Sequence, residues 1–422
     1  MVGIKVALDS LGCKLNQAET DDLFRQLARA GYQMVSSPDE ADIYILNTCT
    51  VTHIADRKSR HLLRSAHRRN PGALVVATGC YAERAPAELA GVKGVGLVLG
   101  NSDKPNLLRL LEESGCFGSR IIGKEGLAIG ICDSCRTRAM VKIQDGCSNF
   151  CTYCIVPLVR GGERNLDVGR VVGDIKQRVA QGYREVVLTG VRIGSYYDNG
   201  VTLAGLLERI LAETGVERLR LSSLQPGEVS PELISLWSDG RLCPHFHLCL
   251  QSGSDSVLGR MGRRYSVAEF ERVVSCIRNA VPCVAITTDV MVGFPAETDR
   301  EFEESYRFCR RMEFARIHVF SYSRRSGTEA SGFPDQIGDG VKKERADRML
   351  VLARESLVNF RRQFLGMMLT VLFEQRSGGA WSGLTANYIK VYVKSGTDLT
   401  NVLRPVRLLR FYRDGVWGEI VA

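Results

Sequence analysis

Along the first hundred residues, short apolar runs rich in β-branched side chains alternate with helical patterns. The runs fall at 4–8, 42–47 and 73–78; between them lie an amphipathic stretch at 19–31 and a basic one at 56–69 that Asn70-Pro71-Gly72 stops. Alternation at this pitch predicts βαβ units and an open parallel sheet. A looser, glycine-containing stretch at 112–138 marks the first domain boundary. A second series then supplies strand candidates at 140–143, 185–189, 218–222, 245–250, 285–292 and 316–320, with helical patterns such as 169–182 and 266–281 between them. Six βα units fit an open, partial (β/α) barrel, whose chemistry sits at the carboxyl ends of the strands. A basic, helix-prone segment at 342–364 leads into short strands at 369–373, 388–393 and 405–412 with glycine turns, the pattern of a small all-β barrel or sandwich. The overall class is α/β, with domains expected at 1–120, 138–364 and 365–422.

Composition narrows this only a little. A chain of 422 residues calls for two or three domains, and 45% hydrophobic with 24% charged residues is ordinary for a soluble protein. No apolar run approaches the roughly 20 residues of a membrane span. The first residues run straight into a strand, without the flank and apolar core of a secretory leader, so a cytoplasmic location is expected. Lys and Arg total 56 against 47 acidic residues, a formal charge of +9 that is compatible with a polyanionic partner without demanding one. Fourteen cysteines in such a setting point to metal ligands, nucleophiles or buried thiols rather than disulfides.

The sharpest chemical signal is Cys147-Ser148-Asn149-Phe150-Cys151-Thr152-Tyr153-Cys154, directly after the first barrel strand. Three thiolates on one tight loop can hold three irons of a [4Fe-4S] cluster and leave the fourth open. A zinc site is the competing reading, but the loop has no fourth cysteine or histidine to complete one. Cys13, Cys49 and Cys80 are far apart in sequence, yet each follows a strand of the first sheet, at the edge where open α/β sheets bind ligands. Spacing alone leaves both a second cluster and three buried thiols open.

With its flanks Lys142-Ile143-Gln144-Asp145-Gly146 and Ile155-Val156-Pro157, the cysteine loop resembles the radical S-adenosylmethionine enzymes. The resemblance implies a cluster whose open iron is chelated by S-adenosylmethionine, and cleavage of that sulfonium to a 5′-deoxyadenosyl radical. Leu11-Gly12-Cys13-Lys14-Leu15-Asn16, Asn47-Thr48-Cys49-Thr50-Val51 and Thr78-Gly79-Cys80-Tyr81-Ala82 look like the three cysteine motifs of the methylthiotransferase family. That family likeness covers essentially the whole chain. It implies a second [4Fe-4S] cluster on Cys13, Cys49 and Cys80, a Rossmann-like first domain, a partial (β/α)6 radical barrel, and a TRAM-like RNA-binding module at the carboxyl end. By the same similarity Tyr153, Gly190, Ser222, Gln251 and Asp289 are assigned to the S-adenosylmethionine pocket, although turn glycines and strand-end polar residues explain each one equally well alone. No GxGxxG fingerprint indicates a nicotinamide cofactor.

Leu188-Thr189-Gly190-Val191-Arg192-Ile193-Gly194-Ser195-Tyr196 and His247-Leu248-Cys249-Leu250-Gln251-Ser252-Gly253-Ser254 are most similar to the branch that modifies N6-threonylcarbamoyladenosine at position 37 of tRNA. Arg192 is the candidate reader of the threonyl carboxylate. Tyr197 and Cys249 depart from that branch's pattern, where glycine and serine are expected. The alternatives are a branch acting on N6-isopentenyladenosine and a non-catalytic RNA-binding iron–sulfur sensor. The implied partners are the tRNA anticodon loop and a low-potential electron donor such as flavodoxin or ferredoxin, with no membrane. Arg57, Lys58, Arg60, Arg64, Arg68 and Arg69 crowd one helix, and Arg404, Arg407, Arg410 and Arg413 stand among Phe411, Tyr412 and Trp417, which favours phosphate contact with aromatic stacking. Cys132 and Cys135 are expected to be incidental thiols, and Cys243, Cys249, Cys276, Cys283 and Cys309 core filler.

Overall fold

The computed structural model describes residues 3–113 and 137–421; Cys132 and Cys135 lie outside them. The first body is a parallel sheet in the order β2-β1-β3-β4-β5, from β1 (Lys5–Ser10), β2 (Gln33–Met34), β3 (Ile43–Thr48), β4 (Leu74–Gly79) and β5 (Val95–Leu99). Every residue of β3 is buried, as a central strand covered on both faces requires. Helix α1 (Lys14–Arg29) begins well before the expected 19, because Asn16, Glu19 and Thr20 point inward and interrupt the amphipathic pattern. Helix α2 (His53–Arg69) starts where the Thr52 hydroxyl accepts from the Ala55 N–H.

The second body contains the six expected parallel strands: β6 (Arg138–Lys142), Glu185–Thr189, Arg218–Leu221, His245–Gln251, Ala285–Val292 and Arg316–Ser321. They pair in sequence, with a break at Ser222 that divides them into two sheets. The first and last strands do not pair, so the barrel is open, and α1 of the first body packs along β6 at that seam.

The third body is a closed five-stranded barrel of Met368–Ser377, Ala380–Thr385, Lys390–Val393, Gly415–Ile420 and Leu403–Tyr412, in that order, which resolves the barrel-or-sandwich alternative. It docks on the amino ends of the parallel strands. Arg218 donates to the Leu384 and Thr370 carbonyls (3.1 and 2.6 Å) and Arg220 to Ala386 (2.7 Å), while the Arg220 guanidinium lies 3.6 Å from the centre of the Tyr388 ring. Of the cysteines expected in the core, Cys243 and Cys309 are buried and Cys249 half-buried, but Cys276 and Cys283 are exposed. Cys276 lies on the outer face of the helix Val267–Ala280, and Cys283 sits in a loop at φ 57°, so the apolar residues beside them in sequence do not surround them in space. Among the described residues no helix is long and apolar enough to cross a membrane.

Candidate functional site

The parallel register places the ends of β1, β3 and β4 side by side, with Ser10 opposite Asn47 and Asn47 opposite Thr78. Cys13, Cys49 and Cys80 follow these ends, so the sheet itself brings the three thiols together. Cys13 is the residue before α1, Cys49 follows β3, and Cys80 opens the short helix α3 (Cys80–Arg84). Gly12 has a φ of 102°, and a Cβ there would stand 2.7 Å from the Cys49 sulfur; only glycine lets that thiol approach. Asn16 ties the cluster, donating to the Leu11 and Thr48 carbonyls at 2.7 and 3.1 Å. Burial pushes the Cys49 thiol up to about 12, and neighbouring Cys13 and Cys80 push in the same direction. Cys49 and Cys80 are buried, and a cation held by the three sulfurs would stabilise them as thiolates.

The Cys147–Cys154 loop leaves the barrel after Gln144–Asp145, and Gly146 permits the turn: a Cβ there would lie 2.0 Å from the Gly162 carbonyl oxygen. The loop is held on the barrel by the Thr152 N–H to the Met261 carbonyl (3.1 Å) and the Thr152 hydroxyl to Arg260 (2.9 Å). Donors aim at its sulfurs, the Asn149 N–H at Cys147 and Arg263 Nη1 at Cys151, both 3.4 Å. Burial raises the Cys147 thiol and pushes that of Cys154 up to about 12. Phe150, between the cysteines, is 78% exposed.

The two triads adjoin. Cys80 packs against Ile155 and Val159, which follow Cys154 on the same loop and its short helix Val156–Arg160. Asn101 Nδ2 lies 3.7 Å from the Cys80 sulfur and donates to the Val159 carbonyl at 2.7 Å. Among the described residues, only His247, Cys249 and Asp289 have ligand atoms all within 4.8 Å of one another. In each triad the thiols converge from the ends of strands or one tight loop, and the donors aimed at the sulfurs of Cys147 and Cys151 fit iron–sulfur chemistry.

Most residues expected at the cofactor pocket ring the carboxyl end of the barrel. Tyr153 is half-buried edge-on to Phe294 (6.4 Å). The Ser222 hydroxyl sits at the break in the barrel sheet, buried and without a hydrogen-bond partner among the described residues, as a group awaiting a ligand would be. Gln251 ends its strand at φ 67°, half-buried. Asp289 Oδ2 lies 3.2 Å from His247 Nε2. Burial disfavours the charged His247 imidazole, but its bonds to Asp289 and Cys249 prevail and lift its pKa to about 10; burial lowers neighbouring His318 to about 4. At Gly190 a Cβ would meet the Gln144 carbonyl and side-chain oxygens at 2.8 Å. The side-chain oxygen of Gln144 accepts from the Val191 and Arg192 N–H groups, so Gly190 serves the packing of this turn.

Comparison with known proteins then assigns the family. The uncharacterized protein family UPF0004 matches residues 5–100 and the Radical SAM superfamily matches 141–309. The chain is 40% identical to threonylcarbamoyladenosine tRNA methylthiotransferase MtaB of Aquifex aeolicus (strain VF5), over 95% of this chain and 99% of that protein. It is 35% identical to MtaB of Bacillus subtilis (strain 168), over 99% and 97%. The chain belongs to the radical S-adenosylmethionine methylthiotransferase family. A tRNA-2-methylthio-N(6)-dimethylallyladenosine synthase of Moorella thermoacetica is 34% identical over 97% of each chain. The solved structure of TsrM from Kitasatospora setae, a radical S-adenosylmethionine methyltransferase, shares the fold at a TM-score of 0.55 and 15% identity, covering 75% of this chain and 72% of that one.

In this methylthiotransferase, Arg192, the candidate carboxylate reader, is half-buried and engaged through one of its nitrogens. Its Nε is paired with Glu228, which is nearly buried and also accepts from the Gln225 N–H at 2.8 Å. Tyr197 is 60% exposed on the rim, and Cys249 faces the lumen beside His247 and Asp289. On α2, Arg57, Lys58, Arg64 and Arg68 face solvent, while Arg60 bonds the Tyr81 hydroxyl and Arg69 bonds Asp39. Arg404, Arg407, Arg410 and Arg413 are exposed, with Phe411 beside them and Arg410 stacked on Trp417 at 5.9 Å. The residues that sequence reasoning missed lie where the domains join: Arg160 and Lys142 pair with Glu19 and Arg325 with Asp56 across the boundary, and Lys104 pairs with Glu19 within the first domain. Arg160 could have been noticed as a charge directly after the apolar Ile155–Val159 run, but its partner Glu19 lies over a hundred residues away.

Proposed function

We propose that the protein replaces the C2 hydrogen of N6-threonylcarbamoyladenosine-37 in tRNA with a methylthio group. One observation carries this most directly: two cysteine triads, one on each domain, meet at the contact of Cys80 with Ile155 and Val159. A barrel enzyme that only generated radicals would have no use for the amino-terminal triad. Relatives named for threonylcarbamoyladenosine, at 35 to 40% identity, support this base over the dimethylallyl (isopentenyl) adenosine of relatives at 32 to 34%.

In this reading Cys147, Cys151 and Cys154 hold one [4Fe-4S] cluster, and Cys13, Cys49 and Cys80 hold the other. Tyr153, Ser222, Gln251 and Asp289 line the S-adenosylmethionine pocket, with Gly190 shaping its wall. When bound, cluster and S-adenosylmethionine supply a 5′-deoxyadenosyl radical, which side-chain acid–base chemistry could not replace at an unactivated aromatic carbon. The chain does the positioning. Arg263 and the Asn149 N–H orient the loop sulfurs, and Gln144 fixes the turn beside the pocket. The target base must leave the anticodon-loop stack to reach the space between the triads. Exposed arginines of α2 and of the carboxyl-terminal barrel, a TRAM-like module, supply phosphate contacts. The units act as domains at 1–120, 138–364 and 365–422, in the cytoplasm, with a flavodoxin- or ferredoxin-type donor. Mass spectrometry of tRNA nucleosides from cells with and without the protein tests the reading, which requires loss of the methylthio nucleoside and accumulation of threonylcarbamoyladenosine. Release of 5′-deoxyadenosine by reduced protein separates the enzyme from a non-catalytic sensor.

A further inference from the structure

We infer that Arg160 and Arg325, both carried by the barrel domain, are positioning residues that provide the counter-charge of the amino-terminal triad and so set the reduction potential of the cluster held there. The inference rests on the two-cluster reading above and adds what governs the second cluster.

Arg160 lies six residues beyond Cys154 yet points into the first domain. Its Nη1 donates to Glu19 Oε1 and Asp145 Oδ1, both at 2.8 Å, and its Nη2 to Asn16 Oδ1 at 2.7 Å. The same Asn16 oxygen is 3.9 Å from the Cys13 sulfur, and Asn101 links Val159, the residue before Arg160, to Cys80. One buried guanidinium is thereby registered against two of the three thiols. Lys104 and Lys142 also bond Glu19, at 2.5 and 3.1 Å, and Lys142 bonds Asp145 at 2.7 Å. Three cations thus share two carboxylates, and the mostly exposed Arg164, 3.6 Å from Asp145, adds positive charge. A buried cationic surplus is costly unless an anion faces it, and three thiolates bound to iron are such an anion.

Arg325 brings a guanidinium of the barrel domain to the triad from the other side. It lies in the loop after the last barrel strand, and both its Nη atoms stand 2.9 Å from Asp56 Oδ2, while Nε reaches the Val51 carbonyl at 3.4 Å, two residues past Cys49. Asp56 is shared with Arg84 at 3.2 Å and with the Thr50 hydroxyl at 2.6 Å, and Arg84 also reaches exposed Glu88 at 3.6 Å. The triad therefore sits on the first domain while arginines of the second enclose it. Fixed positive charge in a low-dielectric site favours the reduced, more negative cluster.

The test is a redox titration, followed by electron paramagnetic resonance, on full-length protein with Cys147, Cys151 and Cys154 replaced by alanine, so that only the amino-terminal cluster signals. Arg160→Gln and Arg325→Gln should each retain the cluster but shift its midpoint negative by at least tenfold in the reduction constant, about 59 mV for one electron. The Arg→Lys variants should recover most of the shift. If Arg160→Gln does not fold, Arg325→Gln carries the same expectation. Glutamine variants that keep about four irons and an unchanged midpoint would overturn the inference, as would lysine variants that shift as far as glutamine. If the parent protein binds no iron at the amino-terminal triad, the two-cluster reading itself fails.

Discussion

Cys80 and Val159, on different domains, answer to one side chain: Asn101 Nδ2 lies 3.7 Å from the Cys80 sulfur and 2.7 Å from the Val159 carbonyl oxygen. The amide fixes a cysteine of one triad to the helix that continues the other. Asn101→Leu should leave iron content near that of the parent but uncouple the two sites. The expected readout is a fall in methylthio product of roughly tenfold, on the order of 1.4 kcal/mol of transition-state stabilisation, while 5′-deoxyadenosine formation continues.

Iron content separates the triads. Reconstituted protein should contain about eight irons, and about four after Cys13, Cys49 and Cys80, or Cys147, Cys151 and Cys154, are changed to alanine together. Unchanged iron on removing the first set would exclude an amino-terminal cluster.

The carboxyl-terminal barrel depends on a buried pair. Arg220 and Glu185 are both inaccessible, with Arg220 Nε 2.9 Å from Glu185 Oε1, and the same guanidinium holds Ala386 and Tyr388 of the module. Arg220→Ala leaves the carboxylate buried without its direct partner, with Arg218 3.6 Å away. The loss should be roughly 3–5 kcal/mol, measured by denaturant unfolding, with earlier proteolytic release of the module.

Tyr388 shows how far the sequence could be read. Periodicity located all six strands of the central barrel because their residues facing the surrounding helices, such as Phe246, Leu248 and Leu250, are apolar, and three separated cysteines could be placed at strand ends by counting elements. It overlooked β5, which contains Gly96 and is only partly buried, and the strands Ala380–Thr385 and Gly415–Ile420 of the closed barrel, where glycines interrupt the alternation. It also placed Tyr388 in a strand, whereas the residue turns at φ 63° to put its ring under Arg220. Interdomain charge pairs such as Arg160 with Glu19 cannot be matched from sequence, since the partners stand on different helices over a hundred residues apart.

The lumen histidines should titrate in opposite directions from an ordinary imidazole. His247, lifted to about 10 from 6.5 by Asp289 and Cys249 against its burial, stays protonated through neutral pH, and His318, lowered to about 4, stays neutral. Because the folded His247 value lies above the unfolded one, its ion pair stabilises the fold fully below about pH 6.5 and fades as pH rises through about 10. His318 acts oppositely: its neutral form is the stable one, so its contribution is present above about pH 6.5 and is lost as pH falls through about 4. Histidine-labelled nuclear magnetic resonance titration checks both, and Asp289→Asn should return His247 toward its ordinary value.

Phosphate binding makes affinity for tRNA depend on salt. Replacing Arg404, Arg407, Arg410 and Arg413 by glutamine should weaken binding across tRNA sequences and flatten the slope of log affinity against log salt by about 0.7 to 0.9 for each phosphate no longer neutralised. A slope that survives the four changes would move the interface elsewhere, with the exposed arginines of α2 next in line.

The substrate claim is tested most directly by a competition. Purified, fully reconstituted and reduced protein is given S-adenosylmethionine and equal amounts of two anticodon stem-loops, one carrying N6-threonylcarbamoyladenosine and the other N6-isopentenyladenosine, and the nucleosides are resolved by mass. The expected result is methylthio-threonylcarbamoyladenosine with the isopentenyl substrate unchanged. Conversion of isopentenyladenosine while threonylcarbamoyladenosine stays intact would contradict it.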